Sequence, residues 1–249
     1  MTPNSSDIKS KIGVVFQDVA VFEELTVYEN INYFCGLYIK DKNTRKQYVE
    51  EAIELVGLND FRKFFPKKLS GGLLRRLNIA CGIAHKPSLI FLDEPTVAVD
   101  PQSRNNILEG IKKLNSMGAT VIYTTHYMEE VEELCSRIII IDKGKIIAEG
   151  TNEDLKELVS TGEKVTIEFP DTIGENRAST LEELKKLDTI HDIKYEGKTL
   201  YITYKKGQYN LGRLIDYLRE HKIEYNKIFS ELPSLNDVFL ELTGKELRD

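Results

Sequence analysis

The pattern of hydrophobic and polar positions changes character along the chain. From Ile12 to Phe16 a short apolar run rich in β-branched residues predicts a buried strand that ends at Gln17. Residues 22–64 instead carry apolar residues at helical spacing, with Thr44 as a candidate N-cap and Gly57 near a helix end. These features predict a helical subdomain at about residues 18–85.

Two continuous apolar strands are predicted further along, at residues 89–92 and 120–123. The segment between them opens at Pro101, ends near Gly118 and has the pattern of a helix. Apolar strands joined by a helix are typical of a parallel sheet covered on both faces. A helix around residues 129–135 and a hairpin of residues 137–141 with 146–148 follow.

After about residue 160 the pattern is that of a small α+β unit. Its predicted order is strand 165–169, helix 180–187, strands 190–195 and 200–204, helix 211–221 and strand 223–229. This is a ferredoxin-like order, closed by a C-terminal helix from Ser234. We therefore expect a main α/β domain over residues 1–160 and an accessory α+β domain over residues 161–249.

Composition and charge narrow the function classes. The chain has 249 residues, with 34 Lys and Arg against 40 Asp and Glu, so its net charge of −6 has the wrong sign for general nucleic-acid binding. Cys35, Cys81 and Cys135 form no CxxC pair, which disfavours a disulfide framework and a zinc site and suits a reducing cytosol. No apolar stretch is long enough to cross a bilayer, so we expect any membrane role to come through a partner.

Ser70, Gly71 and Gly72 open the helix predicted over residues 73–84. Main-chain N–H groups and the positive end of the helix dipole favour an anion at such a position, and small residues allow its close approach. Taken alone, the motif is equally compatible with an ordinary N-capped helix.

Asp93 and Glu94 directly follow the strand at residues 89–92. They are therefore predicted at the carboxyl edge of the parallel sheet, where open α/β folds bind ligands. Two adjacent carboxylates at this edge would suit a cation. If this run stood alone, a solvated pair at a helix start, with Pro95 in the first turn, would be the preferred interpretation.

Taken in order, Gln17, the Ser70–Gly72 loop, the Asp93–Glu94 pair and His126 resemble the ATP-binding cassette (ABC) proteins, from about Ile12 to Gly150. The resemblance implies a P-loop NTPase-like fold that binds ATP and Mg²⁺. It implies that Asp93 helps to hold Mg²⁺, that Glu94 polarises the attacking water and that His126 contacts the γ-phosphate. Gln17 is implied to touch both the Mg²⁺ and the water.

The resemblance also implies contacts between two cassettes. Ser70, Gly71 and Gly72 would face a nucleotide held by the second cassette, and Asp100 matches the loop that communicates between the two. Val97 and Val99 depart from the small residues usual in that loop, and Leu73 replaces the usual Gln after the second Gly. The backbone donors of residues 70–72 are unaffected by the change at Leu73.

A phosphate-binding P-loop needs the run Gly-x-x-x-x-Gly-Lys-Ser/Thr, and residues 1–249 do not contain one. In the family the P-loop precedes the glutamine strand by several dozen residues. We therefore expect the cassette to be incomplete, as an N-terminally truncated form, and we expect the chain by itself to bind ATP poorly.

The segment Pro233–Gly244 resembles the tail of cassettes that drive exporters of the daunorubicin-resistance kind. The resemblance thus implies the ATPase subunit of an ABC-2-type exporter. It would work as a homo- or heterodimer of cassettes beneath permease subunits, in the cytoplasm at the inner face of the cell membrane, without nucleic acid.

Two alternatives remain at this point. The chain could be a defective cassette that lends only Ser70–Gly72 to an intact partner, which an in-frame P-loop upstream of Met1 would argue against. A soluble cassette of DNA repair or translation is disfavoured, because the sequence has one signature motif, no sustained heptads and an acidic balance.

Overall fold

The computed structural model describes residues 6–159, 161–171, 189–206 and 210–244. The chain forms two compact units, Met1–Leu134 and Cys135–Asp249.

The first unit is built on a parallel sheet of three strands, β1 (Ile12–Val15), β2 (Leu89–Asp93) and β3 (Thr120–Thr124), in the order β1-β2-β3. The register pairs Val15 with Leu92 and Leu92 with Tyr123. The predicted parallel pairing is confirmed, but the prediction that the sheet is covered on both faces is wrong, because the paired residues Val14, Phe91 and Ile122 on one face are 43%, 36% and 44% exposed. Because the strands are parallel and in register, the residues that follow them meet at one edge of the sheet.

Helices and short helical turns make up the rest of the first unit. They are α1 (Ser6–Lys9), α2 (Val27–Gly36), α3 (Lys42–Leu55), α4 (Gly71–Ile83), α5 (Pro101–Ser116) and α6 (Met128–Leu134), with 3-10 turns at Asn59–Phe61 and Pro66–Lys68. Helices α2, α3 and α4 pack on one another, and α4 packs on β1. Their fully buried side chains, such as Ile31, Ile53 and Leu77, form one core with Ile90 and Leu92 of β2. Burying each such side chain contributes about 1.5–3 kcal/mol.

The N-cap of α3 is Asp41, so the prediction of Thr44 is wrong. The Asp41 carboxylate accepts hydrogen bonds from the main-chain N–H and the hydroxyl of Thr44, both at 2.8 Å. Thr44 thus lies inside the first turn of α3, where its hydroxyl donates to the N-cap carboxylate. Gly57 follows the end of α3 with a φ of +65°, a left-handed conformation in which glycine is unstrained.

The second unit begins with an antiparallel hairpin, β4 (Ile138–Asp142) and β5 (Lys145–Gly150), followed by α7 (Asn152–Lys156). Its described residues also contain four strands and two helices: β6 (Thr161–Glu168), β7 (Ile190–Glu196), β8 (Thr199–Lys205), α8 (Leu211–Glu220), β9 (Lys227–Glu231) and α9 (Leu235–Thr243). The four strands form an antiparallel sheet in the order β7-β8-β6-β9, and Leu214 and Leu218 of α8 cover Ile167 and Leu200.

Two of the elements predicted for this unit are the last strand and a helix over residues 180–187. The last strand begins at Lys227 and not at Ile223, because Ile223 lies buried in the connection from α8, where its N–H donates to the Leu218 carbonyl. The helix predicted over residues 180–187 lies outside the described residues. The ferredoxin-like assignment therefore stays a prediction.

The compact units divide after Leu134, earlier than the predicted domain boundary after residue 160. The reason is that β4 and β5 pair with each other, while α7 contacts both β5 and α9. The hairpin and α7 are thereby grouped with the C-terminal sheet.

Candidate functional site

Four of the predicted site residues follow the ends of the three parallel strands. Gln17 comes just after β1 and His126 just after β3. Asp93 is the last residue of β2, and Glu94 is the next residue in the sequence. Gln17 and Asp93 are exposed, whereas Glu94 and His126 are half-buried. The sheet thus gathers these residues at its carboxyl edge, as the strand pattern predicted.

Glu94 and His126 form a direct pair. His126 Nδ1 lies 3.0 Å from Glu94 Oε1, so a proton on this nitrogen is donated to the carboxylate. The Glu94 main chain has a φ of +46°, and its N–H is held by the Thr124 carbonyl at 3.1 Å. The second carboxylate oxygen, Oε2, is buried and has no hydrogen-bond partner among the described residues. Such an acceptor is a place for a donor that the protein itself does not supply, such as water.

Asp93 is fixed by a neighbouring strand. The Thr124 hydroxyl donates to Asp93 Oδ1 at 2.6 Å, which holds the carboxylate at the sheet edge. Within the described part of the chain, no three His, Cys, Asp or Glu side chains form a ready metal cluster. Exposed oxygen donors from Asp93 and Gln17 nevertheless fit Mg²⁺, which takes few protein ligands and completes its shell with water and phosphate oxygens.

Arg75 belongs to the same site, and the sequence analysis missed it. It lies on α4, is buried, and donates from Nη1 to the carbonyls of Phe16 (3.1 Å) and Gln17 (2.5 Å), and from Nη2 to that of Glu94 (3.3 Å). Burial lowers the pKa of Arg75, and the charges of Asp18 and Asp93 oppose that shift. The available signal was a charged residue on the buried face of α4 just after the Ser-Gly-Gly motif.

Asn78, one turn further along α4, holds the segment after β1. Its Oδ1 accepts from the Ala20 N–H at 3.0 Å, and its Nδ2 donates to the Phe16 carbonyl at 3.2 Å. The main chain around Gln17 is therefore fixed from both Arg75 and Asn78.

The remaining predicted residues form a second group where α4 and α5 begin. Ser70 caps α4, its Oγ accepting from the Leu73 N–H at 3.3 Å, and both Ser70 and Gly71 are exposed. Gly72 is buried against α5, since a Cβ there would lie 2.8 Å from Asp100 Oδ2. Asp100 caps α5, and hydrogen bonds from Ser103 lower the pKa of its carboxyl.

A buried carboxylate, Glu130 of α6, connects the two groups and was also missed. Its Oε2 accepts from the hydroxyls of Thr96 (2.9 Å), Tyr123 (2.6 Å) and Thr125 (3.2 Å), and its Oε1 accepts from Arg104 Nε. Thr125 precedes His126, and Arg104 lies on the helix that Asp100 caps. We refer to these five side chains as the Glu130 network.

In the ranges the structure describes, none of the helices has the length and apolar character needed to span a bilayer.

Comparisons with known proteins give the family context of this site. Residues 2–97 match the family model described as "ABC transporter". The chain is 39% identical over 243 residues to the linearmycin resistance ATP-binding protein of Bacillus subtilis, covering 97% of this chain and 77% of that protein. It is 34% identical over 250 residues to the daunorubicin/doxorubicin resistance ATP-binding protein of Streptomyces peucetius, covering 100% and 74%.

Two solved structures share the fold. A dimeric ATP-binding cassette in a post-hydrolysis state, bound to ADP and Pi, matches with a TM-score of 0.54 and 29% identity, over 59% of this chain and 67% of that one. An ATP-binding subunit of an ABC transporter matches with a TM-score of 0.56 and 22% identity, over 62% of this chain and 65% of that one, which bears on the fold alone.

The two sequence relatives match almost the whole chain, and the solved dimeric cassette has the predicted P-loop NTPase type of fold. ABC ATP-binding proteins are ATPases that pair with a second cassette and with membrane permeases. Because 97% of this chain aligns with one such protein at 39% identity, the chain belongs to the ATP-binding proteins of ABC transporters.

Proposed function

We propose that this chain is the ATP-hydrolysing subunit of a drug exporter, and that it couples hydrolysis to transport through ABC-2-type permease subunits. The observation that carries the proposal is the Glu94–His126 pair, which stands beside Asp93 at the carboxyl edge of the parallel sheet. Drug-resistance names among the relatives support the export role. The compound itself would be selected by the permease.

In the proposed mechanism, Glu94 acts on the attacking water. Its buried Oε2 is free to accept a hydrogen bond from that water, while Oε1 is held by His126. A carboxylate so placed orients the water and takes up its proton as the new bond to phosphorus forms. Asp93 and Gln17 would hold Mg²⁺, which when bound neutralises charge on the phosphates.

The exposed start of α4 supports pairing with a second cassette. Ser70 and Gly71 are open to solvent, and nothing lies within 4 Å of a Cβ at Gly71. The unpaired N–H groups at this helix start would receive the γ-phosphate of a nucleotide held by the other cassette. Asp100, next to Gly72, would lie at the same contact.

An exposed apolar patch on the helical subdomain supports permease docking. We define the patch as Val19, Phe22, Tyr33 and Leu37, which are 40%, 41%, 47% and 56% exposed. The Phe22 and Tyr33 rings meet edge to face, with centroids 4.9 Å apart. Because the patch continues from the segment that carries Gln17, a cytoplasmic helix of the permease bound here would contact the chain close to the site. Such docking supports the proposed location at the inner face of the membrane.

Residues 161–249 are proposed to form an accessory domain of ferredoxin-like type. Its strand order, β7-β8-β6-β9 with antiparallel neighbours, is the observation that supports this assignment.

The test is ATP hydrolysis by a form of the chain joined to an upstream P-loop segment and assembled with its permease in lipid vesicles. Glu94→Gln should lower kcat by about 10²–10⁴-fold through loss of the general base, while Glu129→Gln, an exposed control, should change it little. Leu37→Glu should abolish co-purification with the permease. If hydrolysis survives Glu94→Gln but is lost in Ser70→Arg, the chain contributes only its signature loop and the proposal is wrong.

A further inference from the structure

Arg75 stands between two segments that the sheet alone does not join. One is the end of β1, where Phe16 and Gln17 present their carbonyls, and the other is the turn after β2, where Glu94 presents its own. Arg75 is 6% exposed. A single buried cation is thus hydrogen-bonded to the main chain on both sides of the site.

The shape of the guanidinium suits this task. Its N–H donors form a rigid planar fork, so two segments bound to one group keep a fixed separation and orientation. A lysine ammonium is a compact point charge on a flexible stem and would not impose this geometry. The three acceptors are backbone carbonyls, so Arg75 fixes the path of the main chain and not the position of a partner side chain.

The Glu94 turn is where such a constraint has an effect. Its main chain is in the left-handed region, which non-glycine residues adopt rarely and which the surroundings must stabilise. The N–H side of the turn is held by Thr124, and the carbonyl side is held by Arg75. The direction of the Glu94 carboxylate, and therefore its pairing with His126, depends on both.

We propose that Arg75 is a positioning residue that couples the segment after β1 to the Glu94 turn. A displacement of the Gln17 segment would then move the Glu94 carboxylate relative to His126. In the functional setting proposed above, on which this inference builds, such coupling transmits permease movement at the apolar patch to the water-polarising carboxylate.

Arg76 provides a matched control. It lies on the same helix, its pKa is also lowered by burial, and it also donates to main-chain carbonyls, those of Val56 (3.1 Å) and Gly57 (3.4 Å). Those carbonyls lie at the end of α3 and not at the site. Arg75→Lys and Arg76→Lys therefore remove similar interactions from different places.

The experiment is NMR of the full chain without nucleotide or permease, so its outcome does not depend on whether the proposed ATPase role holds. Arg75→Lys should shift the ring peak of His126, one of four histidines, by more than its linewidth. It should also speed amide exchange of Glu94 by about tenfold or more. Arg76→Lys should leave both signals unchanged. A His126 peak that stays in place in Arg75→Lys, or moves equally in both variants, overturns the proposal.

A measurement on the unaltered chain covers the case in which Arg75→Lys does not fold. Arg75 Nη protons bonded to both segments should give resolved side-chain peaks with slow rotation about the Cζ–Nε bond. Rapid rotation of that guanidinium would overturn the proposal as well.

Discussion

At the scale of single residues, the Glu130 network shows how a buried charge can organise a site without touching it. Its donors come from the segment after β2 (Thr96), from β3 and its end (Tyr123, Thr125) and from α5 (Arg104). Glu130 is 1% exposed, so every one of these bonds compensates for removing the carboxylate from water. Arg104 also stacks on the Tyr127 ring, 4.3 Å from its centroid.

Glu130→Gln should lower the free energy of unfolding of the chain by about 2–3 kcal/mol. The amide keeps one acceptor but turns an NH₂ group toward hydroxyl or guanidinium donors, and it leaves Arg104 without its counter-charge. Urea unfolding followed by circular dichroism measures the change. Glu129→Gln on the exposed side of α6 is the control and should stay within about 0.5 kcal/mol. Equal losses in the two variants would show that the network contributes nothing specific.

The strand-end residues could be predicted from the sequence, and the residues that position them could not. Glu94 and His126 each follow an apolar run, so parallel strands alone bring them to one edge. Arg75 and Glu130 lie within helices, where a charged residue is usually solvated, and their partners are distant in sequence. Only the three-dimensional packing of α4 and α6 shows which charged residues are buried.

Among the secondary-structure elements, the first turn of α4 packs closely against the first turn of α5 because α4 has a glycine at the contact. Gly72 is the second residue of α4, and a Cβ at this position would lie 2.7 Å from Ser103 Cβ and 2.8 Å from Asp100 Oδ2. Gly71 faces open space. The Ser-Gly-Gly motif therefore combines a residue that must be small for packing with one that is open for a partner.

Gly72→Ala should lower the free energy of unfolding by about 1–3 kcal/mol, because the added methyl group displaces Ser103 or the Asp100 cap. Gly71→Ala should be neutral or slightly stabilising, since alanine is the better helix former and meets nothing there. Thermal unfolding of both variants gives the comparison. Equal stability of the two variants would mean that α5 can move away from α4 without a loss in the free energy of unfolding.

The existence of elements was predictable, and some of their ends were not. Asp41 and Thr44 are three residues apart and both are good N-caps, so the sequence alone does not rank them. The start of the last strand was placed too early because Ile223 is apolar and buried without belonging to the sheet. The local hydrophobic pattern indicates which residues are buried. Whether a residue belongs to a strand depends on a neighbouring strand that offers backbone hydrogen bonds.

At the scale of the whole molecule, the grouping of elements follows long-range contacts that sequence pattern does not contain. The change of pattern near residue 160 is real, since β6 starts a new antiparallel sheet at Thr161. The hairpin before it is nevertheless grouped with that sheet, through the contacts of α7 with α9. The likeness to cassettes with whole-chain coverage supports the fold and leaves the predicted boundary a prediction.

The affinity of residues 1–249 for nucleotide depends on the groups that the whole chain offers to the phosphates. Asp93 and Glu94 are anionic, Gln17 is neutral, Arg75 is already bonded to three carbonyls, and the chain carries a net charge of −6. None of these groups forms the cradle of successive N–H groups and a lysine that a β-phosphate needs. The start of α4 offers N–H groups but, in the proposed arrangement, to a nucleotide held by another cassette.

We therefore expect the purified chain to bind Mg-ATP with a Kd no tighter than about 1 mM, a binding free energy of about −4 kcal/mol. Isothermal titration calorimetry measures it, with the linearmycin resistance relative from Bacillus subtilis as the positive control in the same buffer. Ser70→Ala should leave this weak binding unchanged, because Ser70 is placed for a nucleotide on a partner. Micromolar binding by the chain would contradict the prediction and would require a phosphate site among residues 1–249 other than a P-loop.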